Sequence, residues 1–149
     1  MKKLILLTLI VLLTACSAGA PTNLERNRQT WQDSSITHYR FSLNIGCFCA
    51  FRSQMPITVE VQNNEIVSMT YPDGTLVAAT DPNYETFSSH ATIERIFSEL
   101  EAGLAGDADE VTVTYDSALG FPSEIYFDYI KEAADDELSL TVSNFEALK

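Results

Sequence analysis

Two cysteines separated by one residue, Cys47 and Cys49, are the side chains of this sequence best suited to chemistry. Two thiols at this spacing are able to close a disulfide, to exchange disulfides with other thiols, or to bind a soft metal ion. Same-side neighbours in an ideal strand lie about 6.5–7 Å apart, whereas the Cβ atoms of a disulfide lie about 3.8 Å apart. A disulfide between them therefore requires a kink, and Gly46 is the residue expected to permit unusual backbone angles there.

We predict a structural disulfide between Cys47 and Cys49, because thiols outside the cytoplasm do not stay reduced without a dedicated donor. A thiol-redox role is one alternative, although the sequence has no Cys-x-x-Cys motif. Metal binding is another alternative. The two thiolates with Met55 or Met69 would suit Cu(I), but two sulfurs without a nearby histidine are too few for zinc. We predict no cofactor and no bound metal.

The histidines and carboxylates do not form a recognisable active site. His38 and His90 are the only histidines, and neither belongs to a His-x-x-x-His motif or accompanies a Gly-x-Ser-x-Gly elbow. The acidic turns at 107–110 and 135–137 offer oxygen ligands for Ca²⁺, but neither matches an EF-hand loop, and charged turns are normally solvated. Asp128 falls on the polar side of a predicted strand. We therefore predict that the chain is not an enzyme, and a hydrolase is disfavoured.

The first sixteen residues, MKKLILLTLIVLLTAC, have the pattern of a bacterial lipoprotein signal. Two lysines precede an apolar run from Leu4 to Leu13 that is too short to span a bilayer as a stable helix. The run ends in Leu-Thr-Ala-Cys, which resembles the lipobox, in which the cysteine is acylated. We predict a signal peptide over 1–15 and lipid attachment at Cys16, with an unprocessed membrane anchor as the alternative.

The residues after Cys16 predict where the protein resides. Several acyl chains together hold a protein to a membrane nearly permanently. Ser17 in place of aspartate resembles outer-membrane sorting, so we expect the periplasmic face of the outer membrane in a cell with two membranes. In a cell with one membrane, we expect the outer face of the cytoplasmic membrane. The acylated cysteine and a short tether occupy 16–22, and this tether spans at most about 20 Å.

The composition restricts the classes of partner. The chain has 9 Lys and Arg against 21 Asp and Glu; without Lys2 and Lys3 the net charge falls from −12 to −14. A surface this acidic argues against nucleic acid and anionic headgroups as partners. We therefore expect the membrane, reached through the lipid anchor, and an envelope protein as partners. With Cys16 acylated, the even remainder of two cysteines suits a disulfide.

Periodic patterns predict the first helix and strands. The capping-box sequence TNLE at 22–25 predicts a helix from about Asn23 to Gln32, with Trp31 as a core side chain. Strict alternation over 39–45 predicts a half-buried strand that leads to the cysteines. The segments 57–61 and 67–71 predict a hairpin. We expect a three-residue connection, because a two-residue loop at Asn63 and Asn64 would place polar residues opposite core positions.

The second half of the chain is also predicted to contain one helix followed by three strands. A long surface loop is expected over 75–87. A helix is then predicted by five apolar residues at helical spacing, namely Ile93, Ile96, Phe97, Leu100 and Leu104. Ser89 or Thr92 would cap this helix, and Gly103 or Gly106 would end it. Alternating segments at 111–115, 125–129 and 138–142 predict three strands joined by short turns.

These elements predict a single α+β domain over 23–149. The order is α-β-β-β-α-β-β-β, with about six strands in an antiparallel sheet and the helices packed on one face.

Several features together resemble a bacterial family of exported domains, domain of unknown function 6174. The resemblance spans about Trp31 to Phe145 and is carried by Trp31, Tyr39-x-Phe41, Cys47-x-Cys49, the helix at 93–97, Tyr115-Asp116, Gly120-Phe121-Pro122, Asp128 and Asp136. It implies export, often as a lipoprotein, and brings no established activity and no catalytic residue.

The sequence thus predicts a membrane-anchored lipoprotein of the cell envelope that serves as a non-enzymatic binding or envelope-support domain. The alternative is a thiol-redox or copper-handling protein that uses Cys47 and Cys49.

Overall fold

Three helices and a six-stranded sheet account for most of residues 22–149. The structure is a computed structural model that describes these residues, and the predicted signal peptide and Cys16 lie outside them. The elements in chain order are α1 (Asn23–Asp33), β1 (His38–Gly46), β2 (Ile57–Gln62), β3 (Glu65–Thr70), α2 (Tyr84–Ser89), α3 (Ile93–Ala102), β4 (Glu110–Tyr115), β5 (Pro122–Asp128) and β6 (Leu138–Ala147). The predicted α+β class, single domain and element order are confirmed, with α2 as an addition.

The sheet consists of two antiparallel three-stranded meanders placed side by side. Its strand order is β3-β2-β1-β6-β5-β4, and every neighbouring pair is antiparallel. Within each meander, strands that follow one another in the chain are neighbours, as short turns require. The first strand, β1, pairs with the last strand, β6, and this pairing joins the two meanders.

One face of the sheet is buried under α1 and α3. Tyr39, Phe41, Leu43 and Ile45 of β1 alternate with more exposed residues, and each of the four is at most 2% exposed. The buried side chains that α3 lays over this face are Ile93, Ile96, Phe97 and Leu100. The predicted placement of the helices on one face is therefore confirmed.

Helix α1 runs antiparallel to α3 beside it. Its predicted capping box is present, because the Thr22 hydroxyl accepts the amide of Glu25 and the Glu25 carboxylate accepts the amide of Thr22. Arg28 pairs with Glu101 at 2.9 Å and stacks on the ring of Phe97.

Trp31 is a core side chain, as predicted, and is 5% exposed. Its ring meets Tyr39, Phe121 and Phe145 edge-on, with centroids 5.4–6.0 Å apart. The hydroxyl of Tyr39 accepts the amide of Ile93 at 3.1 Å, where α3 begins. Burial of this hydroxyl raises the pKa of Tyr39 to about 12. The aromatic cluster therefore fixes both helices to the start of β1.

The predicted three-residue hairpin is wrong. Asn63 and Asn64 form a two-residue loop with φ of 52° and 63°, so both lie in the left-handed region, as in a type I′ turn. Val61 consequently pairs with Ile66.

A bulge one step further along restores the pairing of core residues. The register shifts between Glu60 and Val61, so Val59 pairs with Met69, and both are buried. A bulge adds one residue to one strand and so exchanges the faces beyond it. Val67, predicted to face the core, is therefore 54% exposed.

Two predictions about helices also need correction. The expected loop over 75–87 contains the start of α2, whose Phe87 is buried against the rings of Phe51 and Tyr71. Leu104, predicted on the buried stripe of α3, is 52% exposed. The α-helix gives way after Ala102 to a wider π-helical turn at Gly103–Asp107, and this change of pitch rotates Leu104 away from the sheet.

At Gly103, directly after α3, the backbone lies close to side chains of the sheet. A Cβ placed there would lie 2.6 Å from Cε1 of the Phe127 ring and 3.3 Å from a methyl of Val111. Only a residue without a side chain allows this approach.

Substitution of Gly103 by alanine should therefore lower the free energy of unfolding. Alanine favours a helix by about 1 kcal/mol, but overpacking costs about 1–3 kcal/mol, so we expect a net loss of about 1–2 kcal/mol in urea unfolding. Leu104→Ala in the same turn is the control, with an expected change below about 0.5 kcal/mol. A Gly103→Ala variant as stable as the wild type would contradict this packing.

Candidate functional site

A disulfide closes the loop that follows β1. Cys47 and Cys49 are joined, with Cα atoms 5.2 Å apart, as the sequence predicts. Gly46, expected to supply unusual backbone angles, has another role: its φ is not positive, and a Cβ there would collide with the hydroxyl of Ser139 on β6. The glycine therefore permits a close approach between strands, and the chain turns only after it.

Phe48 projects into solvent from this disulfide ring. Its side chain is 81% exposed, whereas Cys47 and Cys49 are partly buried against the core. The disulfide holds the two cysteines together on the core side and leaves Phe48, between them, in solvent. The disulfide ring thus fixes the position of a solvent-exposed aromatic side chain.

A groove on the open face of the sheet begins at Phe48. One cavity of about 310 Å³ lies between the ring and β5, and it is lined by Phe48, Tyr126, Asp135, Glu137 and others. A second cavity of about 360 Å³ lies on the other flank of the ring, lined by residues 47–50 and Arg52. We call Phe48, Tyr126, Asp135 and Glu137 together the Phe48 surface.

Negative charge dominates the far side of this groove. The pKa of Asp128 is raised, first by loss of hydration and then by Asp136, Glu137 and neighbouring acids. The pKa of Tyr126 is raised by the same causes, with Glu137 as the largest charge effect. These shifts mark a patch where a further negative charge is unfavourable and a positive charge is favoured.

Some of these carboxylates also fold the loop between β5 and β6. Asp136 accepts the amide of Ile130 at 2.6 Å, and Asp109 accepts the amide of Lys131 at 2.9 Å. Within residues 22–149, no group of three or more His, Cys, Asp or Glu side chains is arranged to hold a metal ion. Asp109 and Asp136 therefore serve the loop itself, and Asp128 stands on the exposed side of β5.

The two histidines are engaged by glutamates. His38 Nε2 lies 2.9 Å from a carboxylate oxygen of Glu60, across strands β1 and β2. His90 Nδ1 lies 2.5 Å from Glu99, whose other oxygen accepts the hydroxyl of Tyr129 at 3.4 Å. Both pairs tie elements of the fold together.

The two methionines considered as copper ligands differ in position. Met69 is buried in the core on β3, opposite Val59, and Val59 in turn lies opposite Phe41. Cys47 follows Gly46, the last residue of β1, and the five residue steps from Phe41 to Gly46 extend about 16–17 Å along the strand. Met69 is therefore too distant to assist Cys47. Met55 lies closer, since its sulfur accepts the amide of Ile45 at 3.4 Å.

A further cavity of about 310 Å³ beside Tyr71 uses its polar groups internally. The Tyr71 hydroxyl donates to Asp81, and Asp73 accepts the amide of Thr75. Gln54 accepts a bond from Asn83. This cavity therefore offers fewer free groups than the Phe48 surface.

The family model described as "Family of unknown function (DUF6174)" matches residues 23–147. The chain belongs to this family. The resemblance carried by the sequence motifs is thus confirmed. No curated protein and no solved structure matches the chain. Among the described residues, no helix is long and apolar enough to cross a membrane.

Several motif residues of this DUF6174 chain stabilise the fold rather than the groove. Asp116 accepts the amides of Ala118 and Leu119 at 3.0 and 2.8 Å, which shapes the turn between β4 and β5. Gly120 has φ of 77° and lies so close to the backbone of Asn27 that a Cβ would not fit. The motif at Asp116–Gly120 therefore seats this turn against α1.

Phe48 and Tyr126 are the site residues that the sequence analysis did not single out. Their signal was nevertheless present, since both fall on the polar side of an alternating strand pattern. An aromatic residue on that side is normally only an isolated exposed side chain. Their nearness in space depends on the order of β1, β6 and β5, which the sequence pattern does not contain.

Substitution of Asp128 by asparagine should increase the stability of the domain, and the increase should depend on pH. Its pKa is raised in the folded state, so its carboxyl contributes stability below its unfolded pKa of 3.8, and this contribution is lost as pH rises through the folded pKa. At pH 7 the ionised group therefore opposes folding. We expect Asp128→Asn to unfold at a higher urea concentration than the wild type at pH 7, and the difference to vanish below the unfolded pKa.

Asp73→Asn provides the opposite case. The amide of Thr75 lowers the pKa of Asp73, so this carboxylate contributes stability above its unfolded pKa and loses it as pH falls. We expect Asp73→Asn to be less stable than the wild type at pH 7. An Asp128→Asn variant that is less stable at pH 7 would contradict the account of the acidic patch.

Proposed function

We propose that this chain is a lipoprotein of the cell envelope, anchored through lipid on Cys16, whose folded domain binds another envelope component. The observation that carries the proposal is the Cys47–Cys49 disulfide with Phe48 held exposed between its cysteines. Structural disulfides belong to oxidising compartments outside the cytoplasm, and this agrees with the lipobox at the end of the apolar segment.

The use of the histidines supports a binding role over a catalytic one. General bases act on a nucleophile or on substrate within hydrogen-bond reach. His38 and His90 are instead paired with Glu60 and Glu99, and these pairs link neighbouring elements of the fold. The groove at Phe48 offers an aromatic ring and carboxylates, which are groups that recognise a partner.

The anchor determines where such binding takes place. The six residues 17–22 would allow a reach of at most about 20 Å between Cys16 and α1. The domain would therefore stay near the membrane, on the periplasmic face of the outer membrane in a two-membrane cell or on the outer face of a single membrane. Its partner would be an envelope protein within that reach.

A thiol-redox or copper-handling role is the second candidate function. It is favoured by the partial exposure of both cysteines and by Arg52, a cation that lines the cavities beside them. A neighbouring guanidinium stabilises a thiolate. With Met69 too distant, a Cu(I) site would have to use Cys47, Cys49 and Met55.

Intact mass with thiol alkylation, measured on protein from its own envelope, tests the proposal. We expect loss of residues 1–15, the added mass of acyl chains on Cys16, and alkylation of Cys47 and Cys49 only after reduction. Cys16→Ser should abolish the acyl mass, whereas Ser17→Ala should retain it.

Other results would change the conclusion. A wild-type chain that has no added acyl mass, and whose membrane association equals that of Cys16→Ser, would refute the lipid anchor. Alkylation of the cysteines without reduction, or copper that co-purifies, would favour the second candidate.

A further inference from the structure

The disulfide ring fixes the backbone at Phe48 and leaves its side chain exposed. An exposed phenylalanine gains free energy when a partner covers it. Cys47 and Cys49 on either side are joined to each other and packed on the core, so the backbone that carries Phe48 is fixed beforehand. A fixed backbone loses little conformational entropy when a complex forms. Phe48 therefore has the properties of the central anchor of an interface.

The groove beside Phe48 is able to receive side chains of a partner. It runs from the ring to Tyr126, whose side chain is 37% exposed. Ser139 lies between them in the sheet, opposite both Gly46 and Tyr126, and is a small residue. Because Gly46 has no side chain and that of Ser139 is small, the surface is depressed there, with an aromatic ring at either end.

The charge near the groove points to a basic partner. Residues 105–137 contain ten Asp and Glu and a single basic residue, Lys131. Asp135 and Glu137 line the groove itself, and Arg52 is the cation that lines it with them. Complementary charge on a partner both speeds association and fixes its orientation.

We infer that the Phe48 surface docks a segment of a partner protein in which a basic side chain lies next to an apolar one. The apolar side chain packs between Phe48 and Tyr126, and the basic side chain pairs with Asp135 and Glu137. This inference rests on the proposed binding function and specifies the surface and the chemistry of its partner.

The same charges disfavour the other classes of occupant. Anionic lipid headgroups and nucleic acid are repelled by the acidic side of the groove. A second copy placed face to face would bring two acidic patches together, which is equally unfavourable.

Fluorescence anisotropy with defined peptides tests this inference. The full chain, held in phosphatidylcholine nanodiscs, is titrated with a labelled hexapeptide of alternating lysine and phenylalanine. Two matched peptides replace either lysine by glutamate or phenylalanine by serine. We expect the lysine–phenylalanine peptide to bind at least tenfold more tightly than either matched peptide, with an affinity that falls as salt is raised.

Variants of the protein locate the binding. Phe48→Ser should weaken binding at least tenfold, whereas Val67→Ser, at another exposed apolar position on β3, should change it less than twofold. Asp135→Asn with Glu137→Gln should weaken binding severalfold and reduce its salt dependence. The control for charge is Glu65→Gln with Glu85→Gln, which removes two exposed carboxylates on β3 and α2 and should change binding less than twofold.

Three outcomes would overturn the inference. The first is equal binding by the wild type and Phe48→Ser. The second is equal weakening by the two carboxylate pairs, which would show that only the net charge matters. The third is Phe48-dependent attachment to phosphatidylglycerol vesicles or Phe48-dependent self-association, without binding of the basic peptide.

The docking surface and the proposed lipid anchor can each be refuted without refuting the other. Phe48-dependent peptide binding by a chain without lipid on Cys16 would leave the docking surface intact and refute only the anchor. A lipid-bearing chain that binds no peptide would refute only the docking surface.

Discussion

The pairing of β1 with β6 holds the two halves of the sheet together. Each meander contributes one apolar face to the core. When β1 pairs with β6, the buried apolar side chains of the two meanders become one continuous surface for α3. Trp31 then closes this core at the start of β1 through its contacts with Tyr39 and Phe145. The fold therefore depends on a contact between the first and last strands of the domain.

The Phe48 surface is a direct consequence of that pairing. The end of β1 is paired with β6 as far as Gly46, and the Met55 sulfur accepts the amide of Ile45, so the disulfide ring that follows is anchored rather than free. Gly46 allows β6 to approach closely, which brings Ser139 and then Tyr126 of β5 into line with the ring. The disulfide packs Cys47 and Cys49 against the core and leaves Phe48 exposed between them. The pairing of β1 with β6 therefore forms both the core and the groove beside Phe48.

Sequence patterns revealed the helices and strands of this fold, but not which strands are neighbours in the sheet. Alternation and capping patterns depend on residues a few positions apart, so they correctly predicted α1, α3 and the strands. The disulfide was predicted from the even number of remaining cysteines in a chain with an export signal. The contact of Arg40 with Glu146, 106 positions away, leaves no local pattern. For this reason Phe48 and Tyr126 could be assigned to exposed faces but not to one groove. The hairpin prediction was wrong because a bulge, which periodicity does not reveal, restored the pairing of Val59.

The central claim is that the domain meets its partner at Phe48, and cross-linking in living cells tests it most directly. Benzoylphenylalanine is placed at position 48, and at position 67 for comparison, in the full chain expressed in its own host. We expect a light-dependent adduct from position 48 alone, with the cross-link mapped to a protein segment that contains Lys or Arg beside an apolar residue. An adduct with lipid only, with a second copy of the chain, or equally from position 67 would contradict it.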